Sequence, residues 1–342
     1  MKSEELIVNS ELRALLEQRL QQAAVENPHL DTNPVRTIEQ WCAYVERFAR
    51  CMPWQTMDIG EDASFFRRID QNIGYFYFLL GDLQYEPRIA QWLVEFNTAW
   101  GEWLSSPDSW KEEYYQLALA DPLFELATDR YESPDNWHSW NDFFARRLNH
   151  QLQITNHQFV APCDGAVLSA PVKTATIANW LDLLGDSPYR DTFAGGETFH
   201  IVLDVFDYHR FHMPCDGMVL ECKTIQGIHA GGGEIIWDEA ENRYRYQQCG
   251  VTDFQMLETR GVLIIDTPAY GKIAIVPVGV QQVSSVVWTF TNHKSEIINH
   301  KLTQGTELGK FLFGGSDVVL FFEPGRAPYI TSKSVKVGEK IA

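Results

Sequence analysis

Residues 139–148, Ser139-Trp140-Asn141-Asp142-Phe143-Phe144-Ala145-Arg146-Arg147-Leu148, are the last stretch written at helical spacing, and the change that follows them decides the fold. Ser139 and Asp142 form an S-x-x-D start signal ahead of Trp140, Phe143, Phe144 and Leu148, so a helix is expected to begin near Ser139. From about residue 152 the chain turns to short runs of Val, Ile, Phe and Thr bounded by Gly, Pro and Asp, the pattern of strands and turns. The fold class is therefore α+β, with a helical N-terminal domain over 1–150 and a β-rich domain over 151–342.

The front part carries eight of the eleven tryptophans. Leu12, Leu15, Leu16, Leu20 and Ala23 recur at helical spacing, and Thr37 opens a T-x-x-Q capping box before Ile38, Trp41, Cys42, Val45 and Phe48. Further helices are expected over Phe66–Leu80, Arg88–Leu104 and Trp110–Leu119, separated by Gly81, Pro87 and Ser106-Pro107. Trp92, Trp100, Trp103 and Trp110 form a stripe that reads as an aromatic core face rather than a ligand box.

Composition narrows the function. The 342 residues are 45% apolar and 22% charged, enough to bury a core, and 28 Lys+Arg against 46 Asp+Glu give a net charge of −18. Such a chain repels nucleic acid, and no Lys/Arg cluster invites flat adsorption to an anionic bilayer. Residues 1–30 lack the basic and apolar regions of a signal peptide, and stretches such as Gly261–Val280 are broken by Asp266, Pro268, Lys272 and Pro277, so neither export nor an integral membrane anchor is expected. Six cysteines without C-x-x-C spacing read as reduced, in a soluble cytoplasmic protein.

Three segments of the second part are dense in chemistry. Pro162-Cys163-Asp164-Gly165-Ala166-Val167-Leu168 echoes Pro214-Cys215-Asp216-Gly217-Met218-Val219-Leu220, and both say turn, then strand; Asp216 reads as a turn former only. Phe199–Pro214 starts as a buried strand and then brings His209 and His212 beside Asp204, Asp207 and Arg210. That density suits proton transfer, metal binding or a hydrogen-bonded strand end. No third ligand and no H-E-x-x-H spacing support a metal, so none is assigned. Finally, Gly314-Gly315-Ser316 stands at the mouth of the apolar run Val318–Phe322, where Gly-Gly-Ser by itself is most simply a turn. Gly231-Gly232-Gly233 lacks the P-loop lysine and reads as a loop.

Taken in order, four of these words resemble the phosphatidylserine decarboxylase family of self-processing, pyruvoyl-dependent enzymes. They are Trp140–Leu148, Ala161–Gly165, Asp207–Pro214 and Gly305–Ser316. The resemblance implies a catalytic domain over 151–342 that cleaves itself between Gly315 and Ser316, giving a β chain of 1–315 and an α chain of 316–342. It implies an Asp164–His212–Ser316 relay, in which Asp164 orients His212 and His212 deprotonates the Ser316 hydroxyl. That oxygen attacks the Gly315 carbonyl, and β-elimination and hydrolysis then turn Ser316 into a pyruvoyl cofactor, with no metal and no pyridoxal phosphate. The ketone takes up the substrate amine as a Schiff base and accepts the electrons left by CO2. His209 is expected to protonate the resulting carbanion or to position the substrate. The two chains are expected to stay associated through Val318–Phe322; a homodimer is compatible with the sequence, which does not fix the oligomeric state.

The sequence departs from the family in three places. Asp317 replaces the usual Ser or Thr after the cleaved serine, putting a negative charge beside the reacting bond. Glu258-Thr259-Arg260 keeps only the arginine of an Asn-Glu-Arg triplet, and the helical front part replaces a shorter membrane-adhering segment. These features resemble the soluble branch that decarboxylates L-tryptophan, so a free, tryptophan-like amino acid is the expected substrate, with Trp180, Trp237 or Trp288 as pocket candidates that also suit the core. Phosphatidylserine is the alternative, with peripheral membrane contact. A serine hydrolase with the same three residues lacks a G-x-S-x-G elbow, and a non-enzymatic binding module would remain uncleaved.

Overall fold

The computed structural model describes residues 3–53, 69–152, 159–173, 180–229, 231, 233–248, 254–279, 285–290, 297–313, 316–330 and 332–341. Gly232, Cys249, the expected helix start at Phe66 and the Gly314-Gly315 pair lie outside them. The described helices are α1 (Ser3–Val8), α2 (Ser10–Glu26), α3 (Ile38–Phe48), α4 (Ile69–Leu80), α5 (Pro87–Leu104), α6 (Glu112–Ala120) and α7 (Trp140–Phe144). The strands begin with β1 (Gly165–Lys173), β2 (Glu197–Leu203), β3 (Arg210–His212), β4 (Gly217–Ile225), β5 (Gly233–Asp238) and β6 (Arg243–Gln248). They continue with β7 (Thr259–Thr267), β8 (Gly271–Gly279), β9 (Val287–Trp288), β10 (Lys301–Leu302), β11 (Glu307–Lys310), β12 (Ser316–Phe322) and β13 (Ser334–Val335).

The chain is α+β, but its compact units do not divide near residue 150. One unit holds 1–109 together with 228–254; the other holds 110–227 and 255–342. The segment expected to close the helical domain belongs to the second unit because its aromatic and backbone partners are there. Trp110 meets the Phe143 ring at 5.5 Å, and Tyr131 bridges to Leu148.

In the first unit the capping box forms as written: the Gln40 amide donates to Thr37 Oγ1 at 3.3 Å, and the Thr37 amide donates back to Gln40 Oε1 at 3.2 Å. Trp92 and Trp100 are buried, against Trp41 and Phe48 respectively, so the stripe is core at these two positions. The β5–β6 hairpin lies on α4, with Tyr246 against Tyr75 at 4.9 Å and Phe78 at 5.0 Å. The expected glycine loop is in part a strand. A Cβ on Gly233 would stand 2.2 Å from Gly74 O, so only glycine lets β5 come this close to the helix backbone.

In the second unit an eight-stranded antiparallel sheet runs in the order β10-β4-β7-β8-β12-β2-β1-β13 among the described residues. β12 is buried at every residue and pairs with β8 on one side and β2 on the other. Its apolar run Val318–Phe322 forms the middle of the core, contributing on the order of 10 kcal/mol of burial. A three-stranded sheet, β3-β11-β9, completes the unit. Arg260 donates to the carbonyls of Leu183, Met256, Glu258 and Asp182, tying two turns to the start of β7; burial lowers its pKa. Among the described residues no helix is long and apolar enough to cross a membrane.

Candidate active site

Sheet register brings three of the sequence-predicted segments to one edge. Ala166, Val202, Asp317 and Val278 form a row across β1, β2, β12 and β8. One step toward the edge, Ser316 pairs with Leu203 and Gly279. Asp164 lies just before β1, and the turn carrying Asp207 and His209 follows β2. With neighbouring strands about 4.8 Å apart, the backbones of β1 and β12 are separated by about 10 Å.

Successive residues of a strand face opposite sides, so Ser316 and Asp317 point apart. Asp317 is buried, accepting from Gln255 Nε2 at 3.1 Å and lying 2.9 Å from His200 Nε2, whose ring meets Trp180. Its charge therefore has partners on the far face of the sheet. Ser316 is 2% exposed, and its Oγ has no hydrogen-bond partner among the described residues. A buried hydroxyl left in this state costs roughly 1–3 kcal/mol. The strand that follows it also excludes the strand-to-helix elbow of an α/β-hydrolase nucleophile.

The two histidines sit on a turn held by two arginines. Arg146, fully buried, donates to the carbonyls of Phe206 and Asp207, while Arg210 Nε donates to Ala145 O at 2.8 Å. The same contacts explain why α7 stops at Phe144 instead of running on to Leu148. Ala145 O is taken by Arg210, and the Asn149 amide that would have reached it donates to Arg130 O.

His209 is fully buried, with Nδ1 2.9 Å from Asp207 O. A carbonyl can only accept, so Nδ1 carries the hydrogen and Nε2 the lone pair, which has no partner among the described residues. Burial and then the Arg146 charge push the pKa of His209 well below the usual imidazole value, keeping the ring neutral. The ring stacks on Phe144 at 3.7 Å, and Phe144 in turn meets Phe313 at 5.6 Å. Asn141 Oδ1 accepts the Phe313 amide at 3.0 Å, and the Phe311 amide donates to His209 O at 2.9 Å. α7 and the histidine turn thus grip the chain immediately before Gly314-Gly315-Ser316.

His212 is held differently. Its amide donates to Pro162 O at 2.7 Å, Nδ1 donates to Gly305 O at 3.0 Å, and Nε2 accepts from the Tyr208 hydroxyl at 3.0 Å. Its pKa is lowered, mainly by burial. Asp216 fixes the opposing turn, accepting the Gln304 amide at 2.8 Å next to Gly305. A cleft of about 660 Å³ lies between residues 147–152 and 303–307, with Tyr208 and His212 on its wall.

Asp164 does not hydrogen-bond His212. Its fully buried carboxylate takes Arg130 Nη2 on both oxygens at 2.7 Å, the Val337 amide at 2.9 Å and Lys336 Nζ at 3.3 Å. The two residues share the Pro162–Asp164 backbone; the Gly305 carbonyl, Glu307 and, least of the three, Asp164 raise the pKa of His212 against the larger effect of burial. Gly165 is required here: at φ +143° a Cβ would fall 2.4 Å from Val202 O. Arg130, Lys336 and Tyr208 were not anticipated as site residues, and only Tyr208, inside the histidine word, carried a signal.

The suggested aromatic pocket residues have other work. Trp180 is buried against His200 and Phe321, Trp237 belongs to the first unit beside His29 and Tyr244, and Trp288 covers Gly261 and meets Phe211.

The phosphatidylserine decarboxylase family profile matches residues 140–342, more than half of the sequence, and the chain belongs to that family. Similar proteins include phosphatidylserine decarboxylase proenzymes of Chlamydia pneumoniae (29% identical, 54% of this chain and 60% of the relative) and Bordetella avium (30%, 62% and 77%). That of Psychrobacter arcticus is 26% identical over 71% of this chain and 91% of its own length. The alignments with the chlamydial relatives span about 60% of their length.

Proposed function

We propose that this chain is the precursor of a pyruvoyl-dependent decarboxylase that cuts itself between Gly315 and Ser316 and acts on phosphatidylserine. The observation that carries the reading is the Ser316 hydroxyl, sealed at the start of the central strand without a partner among the described residues. An apolar side chain there would fold at lower cost, so the hydroxyl speaks for chemistry.

In this reading Ser316 Oγ adds to the Gly315 carbonyl, the C–N bond between the two residues breaks, and an ester replaces it. Loss of the Ser316 α-proton expels the Gly315 carboxylate, and water releases ammonia from what remains. Chains 1–315 and 316–342 result, the second headed by pyruvoyl. His212 takes the Ser316 hydroxyl proton at Nε2, the nitrogen that Tyr208 approaches as donor in the precursor, and delivers it to the departing Ser316 nitrogen. The Gly305 carbonyl, the Glu307 charge and, to a smaller degree, the Asp164 charge favour the imidazolium, Asp164 without a hydrogen bond.

The surroundings fit the group. Among the described residues His209 and Ser316 each offer one unpaired buried polar atom, and Phe144 packs between the His209 and Phe313 rings. The ketone supplies an electron sink when CO2 leaves. Neutral His209 positions the substrate, its Nε2 lone pair accepting a hydrogen bond from the substrate ammonium.

The names of the relatives support phosphatidylserine over the free tryptophan-like amino acid expected from the sequence, and the packing of Trp180, Trp237 and Trp288 lends that expectation no pocket. Vesicles containing phosphatidylserine, and free L-tryptophan in parallel, test the choice. CO2 is expected from the vesicles alone; CO2 from tryptophan alone would restore the amino-acid substrate.

A further inference from the structure

The Asp164 carboxylate is held by residues both before and after it in the chain. After β12 the chain returns along the sheet edge. β13 pairs Val335 with Gly165 and Ser334 with Ala166, and Val160 bridges to Lys340. Ala161 N donates to Glu339 O at 2.8 Å and Gly338 N to Ala161 O at 3.0 Å, so residues 334–341 run antiparallel along 159–166. Between those contacts the 336–339 turn covers Asp164 with the Val337 amide and Lys336 Nζ. From the other side comes Arg130, ten residues before the segment that the family profile matches. Glu125 and Asp207 complete the cluster: Glu125 ion-pairs with Arg130 and Lys336, and Asp207 lies 3.9 Å from Lys336 Nζ. Three carboxylates thus share two cations, with the Tyr131 ring beside the Arg130 guanidinium.

We infer that Arg130 and Lys336 are positioning residues for self-processing, a two-cation clamp that holds the Asp164 carboxylate in a fixed place beside the histidine turn. The inference rests on the proposed function. It gives the future α chain two tasks, the reacting serine at its head and the clamp on the carboxylate in its tail. The chemistry is simple. A buried carboxylate needs cations and N–H donors around it, and Asp164 has both. The clamp lies between the carboxylate and solvent: Arg130 is 20% exposed at its side chain, Lys336 45% and Asp164 0%. Charge held at a fixed place is what Asp164 offers His212 in the absence of a shared hydrogen bond.

The test follows conversion of freshly translated full-length precursor into its two fragments. Loss of position at such a group costs on the order of 100-fold, the drop expected for Arg130→Met, and half-exposed Lys336→Met should lose roughly tenfold. Arg130→Lys and Lys336→Arg should recover most of the rate, since a single nitrogen from each residue reaches Asp164. Urea unfolding of the methionine variants in a Ser316→Ala background separates charge from folding: restored cleavage in the conservative variants at matched stability supports the clamp. Wild-type rates in both methionine variants would overturn it, as would faster cleavage, the sign of a latch, or failure of Lys336→Arg to recover the rate. If the wild-type chain itself is never cleaved, the proposed function falls and the clamp with it.

Discussion

Replacing Asp207 by asparagine should change how stability depends on pH. The Asp207 carboxyl is 10% exposed at its side chain; burial, followed by the charge of Asp164, raises its pKa to about 6, while the Asp204 amide and Lys336 pull the other way. Unfolded, it returns to about 3.9. The folded value is the higher one, so the folded chain holds an extra proton between about pH 4 and pH 6. The contribution of this group is fully present below about pH 4 and is lost as pH rises through 6. A difference of about two units is about 3 kcal/mol over the whole range, of which about 2 kcal/mol falls between pH 4.5 and 7.5. Asparagine does not titrate. Urea denaturation of the uncleaved Ser316→Ala chain, with and without Asp207→Asn, should show the variant gaining about 2 kcal/mol relative to its parent on going from pH 4.5 to 7.5. Equal pH dependence in the two chains would refute the assignment of this raised pKa to Asp207.

Three further outcomes follow from the site. His209→Gln should leave precursor cleavage within a few-fold of wild type but abolish CO2 release, as measured by fragment appearance and product formation; loss of cleavage would move His209 into the processing step. Asp317→Asn should cost about 1–3 kcal/mol in urea unfolding, by weakening the contacts with His200 and Gln255, while processing stays within a few-fold, because the side chain faces away from Ser316. After cleavage, β12 should keep the fragments together through gel filtration without denaturant, since it pairs with β2 and β8 along its whole length; separation in native buffer would contradict this.

What was legible in the sequence was local or periodic. The Thr37–Gln40 capping box, the Ser139 cap, the helix over Arg88–Leu104 and the strand over Val318–Phe322 can each be read from a few neighbouring residues, and each forms, the helix starting one residue earlier and the strand two. The β5–β6 hairpin falls in the region that reads as strands and turns, but its first glycine reads as loop and its docking on α4 was not legible, because it depends on Tyr246 meeting rings more than 160 positions away. The same holds for the boundary: 110–150 is helical in composition, yet its contacts are with the β-rich unit. At the site, Asp164, His209, His212 and Ser316 were visible as words. The partners of Asp164 were not, since Arg130 and Val337 lie 34 and 173 residues away and neither sits in a motif. Asp317 was visible as a charge, but its direction depends on strand parity, which only the register fixes.

The central claim is that the Gly315–Ser316 bond breaks and leaves a carbonyl. Intact-mass measurement of the freshly purified full-length protein tests it most directly. The account predicts two chains, 1–315 and 316–342, the smaller lighter by one ammonia than a serine-headed peptide and trapped by hydrazine or borohydride. A single unbroken chain of 39.3 kDa that reacts with neither reagent would contradict it.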